Sequence, residues 1–322
     1  MQRIVLVTTL GLAIATRVAS AQPGAEPPPP APEPAPPPVE PPPPAEPPPP
    51  APAPAPPMTV APPGVAPVVT VAAAAGVLPN LLSTAVGTTI DLQADYISID
   101  GADGITFLAM KAHGQFISPG GAGGYASLPF TYLTGDGLEE SVQGIGNLEV
   151  GALYAMRSSP QTDVLLRGGI SLNTADIEDA EFLLYGHIFP RLTDVFTQAG
   201  LDTTWARVQG SMVHSSGTLR IGGMAGADLP VSGEVTEEID ALVNVAVSAG
   251  FQQGNVGAAI GLTMVQTVGV SGDEENYSGL NLTGNVAAGP TTRVIGSLGF
   301  NVGGDSLEID GFSIGIGLRV GM

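Results

Sequence analysis

The last eleven residues, Phe312 to Met322, alternate between apolar side chains and side chains that are small or polar. Successive side chains of a β-strand point to opposite faces, so this stretch predicts a strand with one apolar face and one thin, polar face. The alternation returns repeatedly after residue 84. Beyond the N-terminus, no uninterrupted apolar run reaches the ~18–20 residues that a membrane-spanning helix needs. Repeated alternation of this kind is typical of membrane β-strands.

Twelve alternating segments follow one another from Thr88 onward, and most match the ~9–11 residues of a tilted membrane strand. They are 88–99, 105–118, 126–134, 143–157, 162–173, 201–213, 218–229, 239–252, 255–270, 278–288, 291–302 and 311–322. The third segment is the weakest because its Pro129 cannot donate to a strand ladder. The pattern predicts an all-β fold, a transmembrane up-and-down antiparallel β-barrel of about 12 strands.

The connections between these segments are of two kinds that alternate along the chain. Short connections rich in turn-forming residues occur at 119–124, 158–161, 214–217, 253–254 and 289–290. Longer acidic connections occur around Asp100 and Asp103 and at 136–140, 176–181, 234–238, 273–275 and 303–310. Outer-membrane barrels have short periplasmic turns and longer external loops. The sequence therefore places both ends of the barrel domain in the periplasm and the acidic loops outside.

The region before the barrel divides into three parts. Residues 1–21 predict a secretory signal peptide, since Arg3 precedes an apolar stretch that ends in the small-x-small pattern Ala19-Ser20-Ala21. Residues 22–64 hold most of the 32 prolines and predict a disordered, polyproline-like periplasmic spacer or a solvated tail. Residues 65–83 fit a short strand, a plug or a lead-in, and 84–322 is assigned to the barrel. The chain is expected to be exported to the bacterial outer membrane.

Seven of the eight basic residues that remain after signal removal share one parity within their segments. If the apolar face of each segment meets lipid, these cations point into the lumen and avoid the ~2–4 kcal/mol cost of facing lipid at mid-depth. The predicted lumen-lining residues are Lys111, His113, Arg157, Arg167, Arg207, Arg220, Arg293, Arg319, Asp95 and Glu149. A basic wall would favour polar or anionic solutes. Alternatively, arginines paired with inward carboxylates would fill a narrow lumen.

One connection, 175–199, is long enough to hold structure of its own. Long loops in compact folds are often functional, so this one is interpreted as a lid, an inward-folded constriction or an ordered external loop. The aromatic side chains near segment ends predict the interfacial belt of a membrane barrel: Tyr96, Tyr132, Tyr154, Trp205 and Tyr277.

Enzyme signatures are sparse. His214 and Ser216 lie two residues apart, and outer-membrane phospholipases and lipid A deacylases carry such a His-x-Ser pair on the lipid-facing side. No carboxylate spacing defines a metal site, and the chain has no Cys. The prediction is a protein that is not an enzyme, with no metal and no cofactor. With 30 acidic residues against 10 basic ones, nucleic acid is not expected as a partner.

Across 84–322 the chain resembles outer-membrane β-barrel proteins of Gram-negative bacteria. Within it, Gly144-Ile145-Gly146-Asn147-Leu148, Tyr154 and the strand ending in Gly169-Ile170-Ser171-Leu172 are similar to a pattern in barrels linked to uptake of aromatic or other hydrophobic compounds. Where those barrels tend to have Asp, this chain has Asn147. It also ends in Met322, where such barrels commonly end in Phe or Trp, the residue that the assembly machinery reads.

These observations favour a porin-like outer-membrane channel or transporter that passes small solutes through a polar, partly basic lumen. The first alternative is a structural or adhesive surface barrel with a plugged lumen, whose acidic loops bind divalent cations or a partner. The second is an outer-membrane lipid hydrolase. The expected surroundings in every case are outer-membrane lipid and lipopolysaccharide.

Overall fold

A computed structural model of the chain describes residues 78–99, 105–135, 141–175, 189–198, 203–233, 239–269, 276–304 and 311–322. The strands are β1 (Gly87–Ile99), β2 (Ile105–Ile117), β3 (Ala122–Gly135), β4 (Val142–Ile145), β5 (Leu148–Ser159), β6 (Thr162–Leu172), β7 (Thr203–Ser216), β8 (Leu219–Gly233), β9 (Ile239–Gln253), β10 (Val256–Gly269), β11 (Asn276–Ala287), β12 (Thr292–Gly304) and β13 (Gly311–Gly321). A 3₁₀ turn at Leu192–Asp194 leads into one helical turn, α1 (Val195–Gln198).

These strands form one closed antiparallel barrel. Strands that follow one another along the chain pair with each other, except β4 and β5, and β1 closes the circle by pairing with β13 from Thr89–Gly321 to Ile99–Gly311. The short β4 and the longer β5 pair with different parts of β3. Together they take the place of a single strand in the barrel wall, so the 13 strands fill twelve wall positions. The prediction of a barrel with about 12 strands is confirmed. The predicted signal peptide, the Pro-rich spacer and the acidic loops at 100–104, 136–140, 176–188, 234–238, 270–275 and 305–310 lie outside the described residues.

The outer face of the barrel is apolar, as the alternation predicts. In β13, the outward side chains of Ile314 and Ile316 are 50% and 63% exposed, whereas the side chain of Ser313, on the opposite face of the same strand, is 2% exposed. The exposed apolar side chains of other strands include Leu92, Leu166, Ile170, Val208, Val247 and Ile260. A closed ring of strands has no open sheet edge, and this exterior presents hydrocarbon to lipid.

One end of the barrel carries only tight connections and is called the turn end. Its connections are Ser118–Gly121, Pro160–Gln161, Gly217–Thr218, Gly254–Asn255 and Ala288–Thr291, and both Gly87 and Met322 lie there. Gly217 and Gly254 adopt φ values of 59° and 56°, the left-handed conformation that glycine adopts without strain. The other end is called the loop end. The predicted alternation of short and long connections is therefore present in the fold.

The fourth wall position is interrupted at Gly146–Asn147, and Pro129 on β3 explains why. β3 continues through Pro129 from Ala122 to Gly135, four residues longer at its start than predicted. It pairs with β5 up to Ser127 and with β4 from Phe130 onward, so the break lies beside the proline. Because proline has no N–H to donate, the ladder cannot continue there. Only Pro129 O is used, as an acceptor from Gly146 N at 3.0 Å.

Among the residues that the structure describes, no helix is both long and apolar enough to cross a membrane.

Candidate functional site in the barrel lumen

A chain segment from the loop end lies inside the barrel. This infolded segment, residues 189–198, is the described part of the long connection between β6 and β7, and most of its side chains are buried. Phe189, Leu192 and Val195 pack against apolar residues of the inner wall, including Ile97, Phe107, Leu133, Leu242 and Val265. The connection 175–199 was interpreted as a lid, an inward-folded constriction or an ordered external loop. Its described part, 189–198, matches the inward-folded constriction.

Two aromatic residues predicted for the interfacial belt contact the infolded segment instead. Trp205 is fully buried in the apolar cluster around Phe189, and the ring of Tyr277 lies 5.3 Å from that of Phe196. The belt prediction is therefore wrong for Trp205 and Tyr277. Their large side chains lie near the loop end and fill space beside the infolded segment. Tyr96 and Tyr154 are outward-facing, at 44% and 47% exposed.

Asn147 fastens the end of the infolded segment to the wall. Its backbone N–H, left without a ladder partner by the break beside Pro129, donates to Gln198 O at 2.9 Å. Its side chain donates from Nδ2 to Thr197 O at 3.3 Å and accepts at Oδ1 from the backbone N–H of Thr174 and of Ala175, each at 3.1 Å. The Gly-x-Gly-Asn motif found in the sequence is thus an attachment point for the constriction.

Arg207 of β7 is the centre of the charged contacts and is 1% exposed. Its guanidinium donates from Nε to Asp228 Oδ1 at 2.7 Å and from Nη1 to Glu149 Oε2 at 3.0 Å, so it joins two carboxylates of the wall. It also donates from Nη1 to Asp194 Oδ1 at 2.8 Å and from Nη2 to Thr193 O at 2.7 Å, both in the infolded segment. The planar fork of five N–H donors suits arginine to this number of partners.

Glu149 gathers a second set of donors on the opposite side of Arg207. Its Oε1 accepts from Tyr125 Oη and from Arg167 Nη2, both at 2.6 Å. Its Oε2 accepts from Gln198 Nε2 of the infolded segment at 2.5 Å. A buried carboxylate costs several kcal/mol unless it is paired and hydrogen-bonded, and Glu149 meets both conditions.

Two further ion pairs join the infolded segment to β1 and β2. Arg191 donates to Asp95 Oδ2 at 2.5 Å, and Lys111 Nζ donates to Asp194 Oδ2 at 2.5 Å. Together the buried groups in these contacts are four cations and four carboxylates: Lys111, Arg167, Arg191 and Arg207 with Asp95, Glu149, Asp194 and Asp228. Equal numbers of opposite charges allow the network to be buried without net charge.

Asp194 stays ionised because of its cationic neighbours. Burial alone would raise the pKa of this carboxyl. The charges of Lys111, Arg207 and Arg167, with the hydrogen bond from Lys111, outweigh burial and hold the pKa of Asp194 well below its usual range. The infolded segment therefore carries a fixed negative charge that the wall compensates.

A second segment enters the lumen at the turn end. This entry segment, residues 78–86, runs into β1 at Gly87. Asn80 Nδ2 donates to Thr263 Oγ1 at 2.6 Å, and Pro79 O accepts from Ser248 Oγ at 3.0 Å, which ties the segment to β9 and β10. Ser83 O accepts from Gln115 Nε2 of β2 at 2.7 Å. Since β2 lies across the barrel from β9 and β10, the segment crosses the lumen.

Apolar contacts support the entry segment along its length. Leu78 and Leu81 pack with Met224 and Ala246, and Leu82 and Val86 pack with a cluster at the turn end made of Ile117, Tyr125, Leu153 and Leu165. Residues 65–83 were interpreted as a short strand, a plug or a lead-in. The described part of that range, 78–83, lies inside the barrel.

Glycine on the inner wall makes room for both segments. A Cβ on Gly299 would lie 2.6 Å from Phe189 O, and a Cβ on Gly261 would lie 2.9 Å from Pro79 Cβ. In these places the small inward residues are contact surfaces for chain segments. Barrels of eight strands are filled by their own side chains and barrels of sixteen leave a channel, so twelve strands leave a lumen that loops can fill.

Between the two segments lies a cavity of about 160 Å³, lined by both polar and apolar side chains. Its lining comes from the entry segment, from the infolded segment and from the wall, and includes Asp91, Lys111, His113, Arg167, Asn281 and Arg319. Lys111, His113, Arg167 and Arg319 were named from the sequence. Asn281 was not, because an Asn among many Gly, Ser and Thr residues carries no signal of its own.

The remaining candidate residues take different positions. His113 is buried, with Nδ1 2.8 Å from Ser127 Oγ. Arg319 donates from Nε to Asp91 Oδ1 at 2.5 Å, and Arg293 donates from Nη1 to Asn285 Oδ1 at 2.7 Å. Arg220 is partly buried near the turn end. The side chain of Arg157 is 68% exposed and pairs with Asp163 at 2.8 Å.

The candidate hydrolase pair lies at the turn end of β7. His214 and Ser216 are both exposed, and His214 Nδ1 lies 3.0 Å from Thr162 Oγ1 on β6. Within the described parts of the chain, no group of three or more His, Asp or Glu side chains is placed to hold a metal ion.

Comparison with known proteins shows the fold class. No protein-family model and no curated protein matches the chain. A crystal structure of an outer membrane channel from Pseudomonas putida F1 is similar at 13% identity with a TM-score of 0.55, over 75% of this chain and 97% of that one. The NanC porin has 11% identity and a TM-score of 0.47, over 72% of this chain and 100% of its own.

The CymD monoaromatic hydrocarbon channel is also similar, at 11% identity and a TM-score of 0.39, over 74% of this chain and 89% of its own. It and the NanC porin are too distant in shape to bear on function. The chain has the fold of outer-membrane β-barrels, which confirms the predicted class. With the apolar exterior of the strands, this fold places the protein in the bacterial outer membrane.

Proposed function

We propose that the protein is an outer-membrane channel for small polar solutes, and that the structure represents its closed state. The observation that carries the proposal is that chain segments, and not only side chains of the wall, occupy the lumen. An opening that leaves all twelve wall positions intact therefore needs only the displacement of a segment.

The inner surface supports passage of polar rather than apolar solutes. Above the turn end, the wall presents charged and amide side chains around the cavity, while the apolar residues of the outer face meet lipid. A solute entering the cavity would exchange hydrogen bonds with water for hydrogen bonds with the wall, as in other selective pores.

The two segments differ in how they are held. The infolded segment is joined to the wall by buried ion pairs that involve Arg191 and Asp194. Removing one partner of a buried ion pair costs roughly 3–5 kcal/mol of stability. The entry segment is held by neutral hydrogen bonds, each with a net contribution of about 0.5–1.5 kcal/mol, and by leucine contacts. Moreover, the entry segment is tied to the barrel strands at one end, at Gly87. These contrasts favour the entry segment as the moving gate and the infolded segment as a fixed constriction.

Planar-bilayer conductance of the refolded full chain tests the proposal. Because the chain has no Cys, the pair Asn80→Cys/Thr263→Cys can be joined by a short reducible thiol crosslinker without competing reactions. We expect discrete channel openings before crosslinking, loss of openings after it, and recovery on reduction. The two single-Cys variants treated in the same way are the matched controls.

Two results would contradict the proposal in different ways. A barrel that stays sealed at every voltage and salt concentration would favour the surface-barrel alternative, in which the ion pairs simply fill the lumen. Openings that persist in the crosslinked protein would leave a channel but remove the entry segment as its gate.

The proposed partners follow from this placement. Outer-membrane lipid and lipopolysaccharide surround the exterior, and a small solute occupies the lumen. Binding of divalent cations to the acidic loops is a separate proposal about residues outside the described ranges, tested by calcium titration of the refolded protein.

A further inference from the structure

We infer that the cavity between the entry segment and the infolded segment is a binding site for a small monocarboxylate, with Asn281 as a specificity-determining donor. The inference rests on the proposed function, since it names the solute class that the channel would hold. The size of the cavity, its unused hydrogen-bonding capacity and its charge support the site.

Size limits the ligand to a few heavy atoms. The cavity measures about 160 Å³. An engineered cavity of about 150 Å³ in another protein holds benzene, which has six heavy atoms. A straight-chain carboxylate such as butyrate also has six heavy atoms, so its size suits the cavity.

The side-chain amide of Asn281 has N–H groups that find no acceptor among the described residues. Its side chain is 4% exposed, it lines the cavity, and its Nδ2 has no hydrogen-bond partner there. A buried donor left unpaired costs about 1–3 kcal/mol, so such a group in a polar cavity points to an acceptor that the cavity receives.

The two carboxylates that line the cavity already have their oxygens engaged. Asp194 has one oxygen bonded to Arg207 and the other to Lys111, and both oxygens of Asp91 accept from Arg319. The ammonium of Lys111 has three N–H groups, and Asp194 takes one of them. Lys111 and Asn281 therefore both line the cavity with N–H groups to spare.

Charge favours an anionic acceptor over a neutral one. Four cations line the cavity, Lys111, Arg167, Arg191 and Arg319, against two carboxylates, Asp91 and Asp194. The partners of Arg167 and Arg191 are Glu149 and Asp95, which do not line it. A carboxylate placed among the cations gains charge-assisted hydrogen bonds, whereas an alcohol of equal size gains only neutral ones.

The test is saturation-transfer difference NMR on the refolded full chain in nanodiscs. The three probes are similar in size and differ in charge: butyrate is an anion, 1-butanol is neutral and butylammonium is a cation. We expect saturable binding of butyrate and at least tenfold weaker binding of the other two. Asn281→Leu removes the donor at similar size and should weaken butyrate binding about ten- to a hundredfold, the range for a hydrogen bond to a charged group.

Asn281→Asp is a second variant, which should abolish butyrate binding and admit butylammonium. Asn255→Leu and Asn255→Asp make the same changes at an exposed turn outside the cavity and should leave butyrate binding unchanged. Retention of the folded barrel is checked by heat-modifiable gel mobility.

The outcomes separate this inference from the proposed channel. Butyrate binding by a protein that never conducts would uphold the site and overturn the channel. Conductance without saturable butyrate binding, or equal binding of the three probes, would overturn the site alone. Butyrate binding that is indifferent to Asn281→Leu and Asn281→Asp would also overturn it.

Discussion

Arg207 on β7 and Asp228 on β8 are register partners, and Arg207 Nε lies 2.7 Å from Asp228 Oδ1 inside the barrel. The second oxygen of Asp228 accepts from Arg207 Nη2 at 3.1 Å and from Asn244 Nδ2 at 2.6 Å. This two-point contact orients the guanidinium so that Nη1 reaches Asp194 of the infolded segment. A pair within the wall thus positions the group that holds the constriction.

Replacing Arg207 should be among the most destabilising changes in the protein. Arg207→Met leaves Glu149, Asp194 and Asp228 without their shared cation, and removing one partner of a buried ion pair costs roughly 3–5 kcal/mol. We expect that loss in the free energy of unfolding measured by urea titration in lipid vesicles. Arg157→Met is the matched control: its ion pair is exposed, so the change should stay within about 1 kcal/mol. Equal effects of the two substitutions would contradict the assigned network.

Loosening the infolded segment should be visible through Trp205. The chain has one Trp, and it is buried against Phe189 and Leu192. Arg191→Gln breaks the ion pair with Asp95, so part of the population should release the segment and expose the indole. The expected results are a red-shifted emission and a larger open-channel conductance. An unchanged spectrum together with unchanged conductance would show that this ion pair does not hold the segment.

Asn147→Asp tests the residue where the chain departs from the barrels it resembles. The carboxylate could still accept from Thr174 N and Ala175 N, but it has no N–H to donate to Thr197 O. Two oxygens would then face each other, and the segment should detach more readily. We expect faster hydrogen exchange of the Gln198-bonded amide of residue 147. Exchange as slow as in the parent protein would argue against the attachment role.

Acid should release the infolded segment only at low pH. The folded pKa of Asp194 lies below its usual value of 3.8, so its ion pairs contribute fully above that value and are lost as pH falls through the lowered folded pKa. Trp205 emission should therefore be constant from neutral pH to about pH 4 and shift only in stronger acid. In Asp194→Asn the acid-induced shift should be smaller, because only the carboxylates of Glu149 and Asp95 still bind the segment. A transition near pH 6 would point to a different group.

The barrel itself could be read from the sequence because its signal is local. Alternation in segments such as Phe312–Met322 follows from the two faces of a strand, and the turn formers at Gly217 and Gly254 mark where the strands reverse. The apolar partner of the outer face is lipid, which needs no matching residue elsewhere in the chain. Strand number and strand order could both be derived from short stretches.

What occupies the lumen was decided by the tertiary structure. Nothing local to Asn281, Asp194 or Leu78 indicates that they line one cavity, because they lie more than 80 residues apart in sequence. Their proximity depends on closure of β1 on β13 and on the burial of two segments between opposite walls. The sequence could list inward charges, but which cation met which carboxylate depended on that folding, since a charge in a low-dielectric interior is stabilised only by partners at contact distance.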